Sequence, residues 1–325
     1  MTSRHGFALL AVLWIITGAA IVAFAISLEA RQAVVATGNR RALLRAEWQA
    51  EDCIARVRVV LAELSGRRTG APFERASAPD DSLSLLVTRS PIVAMCPGEV
   101  DFVPVGLTLD LNSASAEMMR RTLRHQGIEW SNVDSMVDAF LDWRDVDEIP
   151  RLRGCESACY AGRGGATLRD GRFASVEELR GVRGFERWDS LTPRGRLVDR
   201  LDRLFTVELG RVLIARAPLE VLVALPGIGE EGARELIARR GDRSNAAPEL
   251  LRVGASLTGT VRDSFVARFP ELMSVATVAP DAWLLTVSAP SRGEAGRLSP
   301  LGVSMQVRLA LGSDGARIIR RRVLP

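Results

Sequence analysis

FALLAVLWIITGAAIVAFAISL, residues Phe7 to Leu28, runs for twenty-two positions without a charge. At about 1.5 Å per residue it reaches about 33 Å as a helix, enough to cross a hydrocarbon core of about 30 Å. A transmembrane helix is the expectation. Arg4 and His5 precede the run and Glu29 and Arg31 follow it, so flanking charge sets no orientation. The very short amino-terminal side can stay cytoplasmic, which places the bulk of the chain outside. A cleaved signal peptide competes, because Ala23-Phe24-Ala25 is an A-x-A site behind an apolar run. Two features oppose it: Gly6 stands directly before the run with Phe7 after it, and a helical pattern continues past Leu28. Leu43, Ala46, Ala50, Ile54, Val57, Leu61 and Leu64 advance by threes and fours, an amphipathic face interrupted only by Gly38. One helix over residues 7 to about 64, half in a membrane and half on a globular head, accounts for both patterns.

The chain has 325 residues, more than one compact core usually needs, so two domains or one domain carrying an insertion are expected. All 43 basic residues are Arg, and a net charge of +4 is small beside them and the 39 acidic ones. The charge balance therefore gives little argument for nucleic acid. Cys53, Cys96, Cys155 and Cys159 are an even set that an oxidising compartment could pair as two disulfides, with three pairings open. With no CxxC and only His5 and His125, a Cys/His zinc site is not supported.

Beyond Leu64, SGRRTGAPFERASAPDD reads as a loop. Ser84–Val87 and Val100–Val105 then read as short strands. Helices are expected over Ala114–His125 behind an Asp110–Ser113 cap, over Ser131–Trp143, over Ser175–Val182 with Ser175 and Glu178 as a capping box, over Pro218–Ala224 and over Glu230–Arg240. The tail returns to strand patterns at Met273–Val278, Trp283–Val287, Val303–Leu311 and Ala316–Val323. Strands on both sides of a helical middle imply an α+β fold: a long helix on an antiparallel sheet, split by an inserted helical domain over residues 106–265.

LVALPGIGEEGAREL, residues 222–236, has the G-h-G turn of a helix-hairpin-helix, whose backbone N–H groups can cradle a phosphate. Glu230 and Glu231 at that helix start would repel one, and the alternative is a hairpin used for packing alone. LDWRDVDEIP, residues 141–150, followed by Glu156, sets carboxylates closely on a turn, which suits a hard cation, although glycine and glutamate are misplaced for an EF-hand. The competing reading is a solvated acidic turn. With two histidines, no G-x-S-x-G and no P-loop, nothing assembles a catalytic site, and the chain is read as not an enzyme.

RHGFALLAVLW, residues 4–14, resembles a prepilin peptidase site, and the anchor continuous with an amphipathic helix resembles a type IV pilin-like protein. The resemblance implies cutting after Gly6, methylation of the new amino terminus at Phe7, a leader of residues 1–6, a membrane part over 7–28, and a pilin-like domain over 29–105 and 266–325. Most such subunits carry Glu at the fifth mature position; this chain has Ala11. That departure resembles the K-type minor pseudopilin of type II secretion. The resemblance implies a subunit at the filament tip, in the inner membrane with its head in the periplasm. It also implies I-type and J-type minor pseudopilins and prepilin peptidase as partners, and no nucleic acid. The same resemblance makes Asp142, Asp145, Asp147 and Glu156 calcium ligands. Cys155 and Cys159 flank Glu156, and a bridge between them would brace that loop, with Cys53 and Cys96 then joining helix to sheet. The hairpin Leu111–Met118 reads as a first copy of the motif at 222–236, whose own copy has Leu213 and Ala215 where asparagines are usual. The rival function is a membrane-tethered helix-hairpin-helix DNA-binding protein of a DNA-uptake system.

Overall fold

The computed structural model describes residues 4–66, 82–160, 170–208, 210–240, 250–292, 298–312 and 315–324. Most of the loop expected after Leu64 lies outside them. Helix α1, Arg4–Gly66, is continuous through Gly38, whose position meets no neighbour within 4 Å. Its first half is exposed, from Val12 at 54% to Leu28 at 48%, and its hydropathy and length suffice to cross a membrane. A soluble core helix would bury that surface. The chain is a membrane-anchored protein. Gly6 and Phe7 stand in the first turns of α1.

The strands in chain order are β1 (Glu99–Pro104), β2 (Leu109–Asp110), β3 (Phe205–Thr206), β4 (Val212–Leu213), β5 (Ala276–Thr277), β6 (Trp283–Arg292), β7 (Leu298–Gly312) and β8 (Gly315–Leu324). β1, β6, β7 and β8 form one antiparallel sheet in that order. The period of two sets Phe102, Leu285 and Val307 in register on one face. There they bury Ala46, Ala50, Cys53, Ile54, Val57 and Leu61 of α1. Phe102 stacks on Trp283 with centroids 4.7 Å apart. The opposite face meets Glu208, a buried carboxylate with Arg308, Arg320 and Arg322 at 3.5–3.6 Å.

Between β1 and β6 the chain leaves the sheet and returns, and the Val105 N–H bonds the Ala282 carbonyl at 2.9 Å where the two ends meet. The intervening residues build a second core from Leu109 to Ala276. The expected boundary at 265 falls inside that core, where Phe265 packs on Phe269 at 5.9 Å. Among the described residues the excursion combines helices with two short parallel ladders, β2 with β3 and β4 with β5. It contains an internal repeat. Leu111 N–H bonds Thr206 O (2.8 Å), as Ile214 N–H bonds Thr277 O (3.0 Å). The Arg144 guanidinium then caps the carbonyls of Leu111 and Ala114, and Arg240 caps those of Ile214 and Ala217. Asn112 grips the Phe173 backbone through both its amide atoms, at 2.8 and 3.0 Å. Its counterpart Ala215 has no group to do so, yet the turn survives on Ala217 N–H to Leu213 O, 2.8 Å.

Three local expectations change. Ser84–Val87 is not a strand but part of a helix, Ser82–Thr88, because Leu83 and Val87, four apart, both enter the core of α1. Met273–Val278 is helical as far as Val275: Pro270 opens the helix Phe269–Val275 and Leu272 is fully buried, leaving only β5 extended. Val176–Gly181 is a 3₁₀ helix, in which Glu178 accepts from Ala174 N–H while Ser175 makes no cap bond.

Candidate metal centre

The helix Trp130–Arg144 buries Val133, Met136, Val137 and Phe140 at the spacing of one face, which carries Asp142 and Trp143 inward at its last turn. Asp142 is fully buried and used by the loop that follows. It accepts the Arg151 and Cys155 N–H groups at 3.2 and 2.8 Å and the Arg151 guanidinium at 2.5 Å. Arg151 also reaches Asp145 at 2.6 Å. Gly154 permits this: a Cβ there would stand 1.7 Å from an Asp142 oxygen. Cys155 and Cys159 are joined by a disulfide across the short helix Ser157–Tyr160, with Cα atoms 5.5 Å apart, and Cys53 is joined to Cys96.

The folded loop brings Asp145, Asp147 and Glu156 together, one oxygen from each lying within 4.8 Å of the others. Asp142 stands apart from this group as the anchor of its loop. Glu156 is buried and neither of its oxygens has a hydrogen-bond partner; Asp145 Oδ1 is in the same position. Burial raises the Glu156 carboxyl to about 7, and the negative charges of Asp142, Asp145, Glu148 and Asp170 add to the rise. Asp170 is raised by burial and by Glu148 and Asp145, and it holds a left-handed backbone at φ 46°. Glu148 accepts from Ser157 Oγ at 2.6 Å. Glu148 and Asp170 thus surround the group although the sequence reading did not select them. Glu148 could have been taken from the acidic run, whereas Asp170 is fourteen positions beyond Glu156 and gives no local signal.

Calcium takes oxygen ligands at about 2.3–2.6 Å, so oxygens on opposite sides of one ion lie about 4.8 Å apart. The orphaned Glu156 oxygens and the mutual spacing of the three carboxylates fit such an ion. The hairpin at 222–236 is occupied otherwise. Gly227, at φ 73°, lies so close to the Ser264 carbonyl that a Cβ would approach it to 2.7 Å, and Glu230 and Glu231 occupy the first turn of the helix Gly229–Ala238. The turn packs against a neighbouring helix.

Residues 106–193, which contain the first repeat and the acidic loop, match the family model described as type II secretion system (T2SS), protein K. Over these residues the chain is similar to protein K of type II secretion. Its fold resembles a chain in the crystal structure of the GspK-GspI-GspJ complex from the enterotoxigenic Escherichia coli type 2 secretion system. The TM-score is 0.60 at 13% identity, over 89% of this chain and 99% of that one. No curated protein matches the chain by sequence. The matched protein K domain includes every carboxylate of the group, and neither comparison supports a DNA-uptake protein.

Proposed function

We propose that this chain is the tip-forming minor pseudopilin of a type II secretion system. The observation that carries the reading is a protein K domain inserted in a sheet that packs on a membrane-length helix. Prepilin peptidase would cut after Gly6 and free Phe7, and α1 would hold the subunit in the inner membrane with its head in the periplasm. Ala11, lacking the carboxylate that would meet a terminal amine beneath it, suits a subunit that starts a filament, and the bulk of the inserted domain would stop another from stacking above. GspK in the Escherichia coli structure is assembled with GspI and GspJ, and I-type and J-type subunits are the partners proposed here. The role is mechanical, not enzymatic: the capped filament would push folded exoproteins toward an outer-membrane pore.

Asp145, Asp147 and Glu156 would hold a calcium ion, whose charge offsets theirs. Asp142, Arg151 and the Cys155–Cys159 bridge hold the loop in place around them.

The test is co-expression of the full chain with prepilin peptidase and I-type and J-type subunits from the same secretion system. A ternary complex recovered from membranes, with the chain starting at Phe7, is expected. A chain starting at Ile26 and no complex would overturn the reading.

A further inference from the structure

We propose that the tip of the acidic loop, Val146 to Leu152, docks in a calcium-dependent way on the surface of a phospholipid bilayer other than the one that holds α1. The inference rests on the tip-subunit reading and on the calcium centre, and it names the partner of that centre. Val146, Ile149 and Leu152 are 82%, 75% and 96% exposed, the highest values of any large apolar side chain among the described residues. Even in the anchor half of α1, Trp14 and Phe24 reach only 71%. Three aliphatic side chains held in water on one seven-residue stretch mark an interaction surface. Polar contacts impose the exposure. Asp142 accepts the Arg151 and Cys155 N–H groups, and Asp147 accepts that of Ile149 at 2.9 Å. A turn over 151–154, closed by Gly154 N–H on the Arg151 carbonyl at 3.0 Å, has Leu152 at its corner. The Arg151 guanidinium meets Asp145 at 2.6 Å and closes the neck of the loop. Val146 and Leu152 directly follow the two members of that pair, and Ile149 lies midway between them along the chain.

The metal centre shares this stretch, with Val146 standing between Asp145 and Asp147 in sequence. Glu156 forms its buried wall, both oxygens without a partner, whereas Asp147 is exposed. Three carboxylates giving one oxygen each leave half or more of calcium's six to eight positions to be filled from outside the group. A lipid phosphate offers oxygens of the required kind. Without the ion, Asp145, Asp147, Glu148 and Glu156 repel a phosphate; the ion offsets that repulsion, and the exposed Arg151 and Arg153 flank Leu152 with positive charge. Lipid suits the composition better than protein does. Interface centres are rich in aromatic residues, and the aromatics of this region, Trp143 and Tyr160, are buried in the core. Separate aliphatic tips suit insertion among acyl chains.

The bilayer is not the anchor's own. Arg58 meets Ala316 and Glu51 meets Arg321, so β8 runs back toward the membrane that holds α1. Ile318 pairs with Leu309, Leu309 with Trp283 and Trp283 with Pro104, so both crossings into the inserted domain lie at the far end of the sheet. Glu51 is already twenty-three residues past Leu28, about 35 Å along the helix. A tip subunit carries the inserted domain toward the outer membrane, and its periplasmic leaflet is the surface assigned here.

The test holds the full chain through α1 in immobilised phosphatidylcholine nanodiscs and adds fluorescent vesicles of phosphatidylethanolamine and phosphatidylglycerol, in calcium or in chelator, with empty discs as the blank. Capture in calcium at least about tenfold above that in chelator is expected, since burying each aliphatic side chain is worth roughly tenfold in an equilibrium constant. The triple substitution Val146→Ser, Ile149→Ser and Leu152→Ser removes only exposed side chains. It should lower capture at least about tenfold, while the rise in melting temperature on adding calcium stays as in the unsubstituted chain. No capture, capture that survives chelator, or capture undiminished by the triple substitution overturns the proposal. Loss of I-type and J-type subunits from the triple variant, with no vesicle capture by the unsubstituted chain, makes the loop a protein contact and overturns it likewise. An unsubstituted chain whose melt ignores calcium removes the metal centre and this inference together. The tip-subunit reading stands or falls separately, on the ternary complex and the Phe7 start, neither of which needs vesicles.

Discussion

Replacing Glu156 with Gln tests the metal centre through its electrostatics. In the cation-free protein the Glu156 carboxyl stands at about 7 against an ordinary 4.5. Its raised value means that the folded state binds the proton more tightly than the unfolded chain. The associated stability is therefore complete below pH about 4.5 and is lost as pH rises through 7, leaving the charged form penalised by about 3 kcal/mol at pH 8.5. Gln is neutral at every pH and escapes this loss, but its buried amide, lacking partners as the carboxylate does, gives back about 1–2 kcal/mol. The net expectation in chelator at pH 8.5 is a variant more stable by about 1–2 kcal/mol, a rise of several degrees in melting temperature for a head of this size. Calcium should reverse the order: at a hundred times its dissociation constant it adds about 2.7 kcal/mol to wild type and little to the variant. Differential scanning of the full chain in detergent, at pH 5 and 8.5 with and without calcium, measures all four states. If both proteins respond equally to calcium, or if their melting difference in chelator is independent of pH, the carboxylate group does not work as argued.

Gly154→Ala should be among the most damaging small substitutions, since its Cβ would fall 1.7 Å from Asp142 Oδ2. A loss of about 2–4 kcal/mol in a chemical melt is expected, and a neutral result would refute the anchoring role of Asp142. Arg144→Met and Arg240→Met each strand two carbonyls of one repeat and should each lose about 1–3 kcal/mol; a large asymmetry would show that the two caps are not equivalent. Gly6→Val should leave the leader attached, read as an intact mass that includes residues 1–6, and normal processing of that variant would place the cut elsewhere.

Periodicity carried most of the elements because burial imposes it directly. The stripe Ala46, Ala50, Ile54, Val57 and Leu61 needs one partner face, and the alternating tail supplies it in β6 and β7. The pattern misled where an element was short. Leu83 and Val87 sit in four residues' reach of either period, and only contact with α1 selects the helix. At the metal centre, Asp145, Asp147 and Glu156 could be selected from local acidity and family likeness. Asp142 could not be separated from them in one dimension, because what distinguishes it is Arg151 turning back onto it.

The amino-acid sequence by itself determined the anchor, the single long helix and the presence of a helical excursion between strands, since each depends on a run or a period along the chain. Only the tertiary structure decided which carboxylates meet, that Asp170 joins their surroundings, and that the excursion is an internal repeat with Arg144 and Arg240 in matching roles. Those facts depend on distances between residues far apart in the chain, and a sequence records such distances only after its cores have closed.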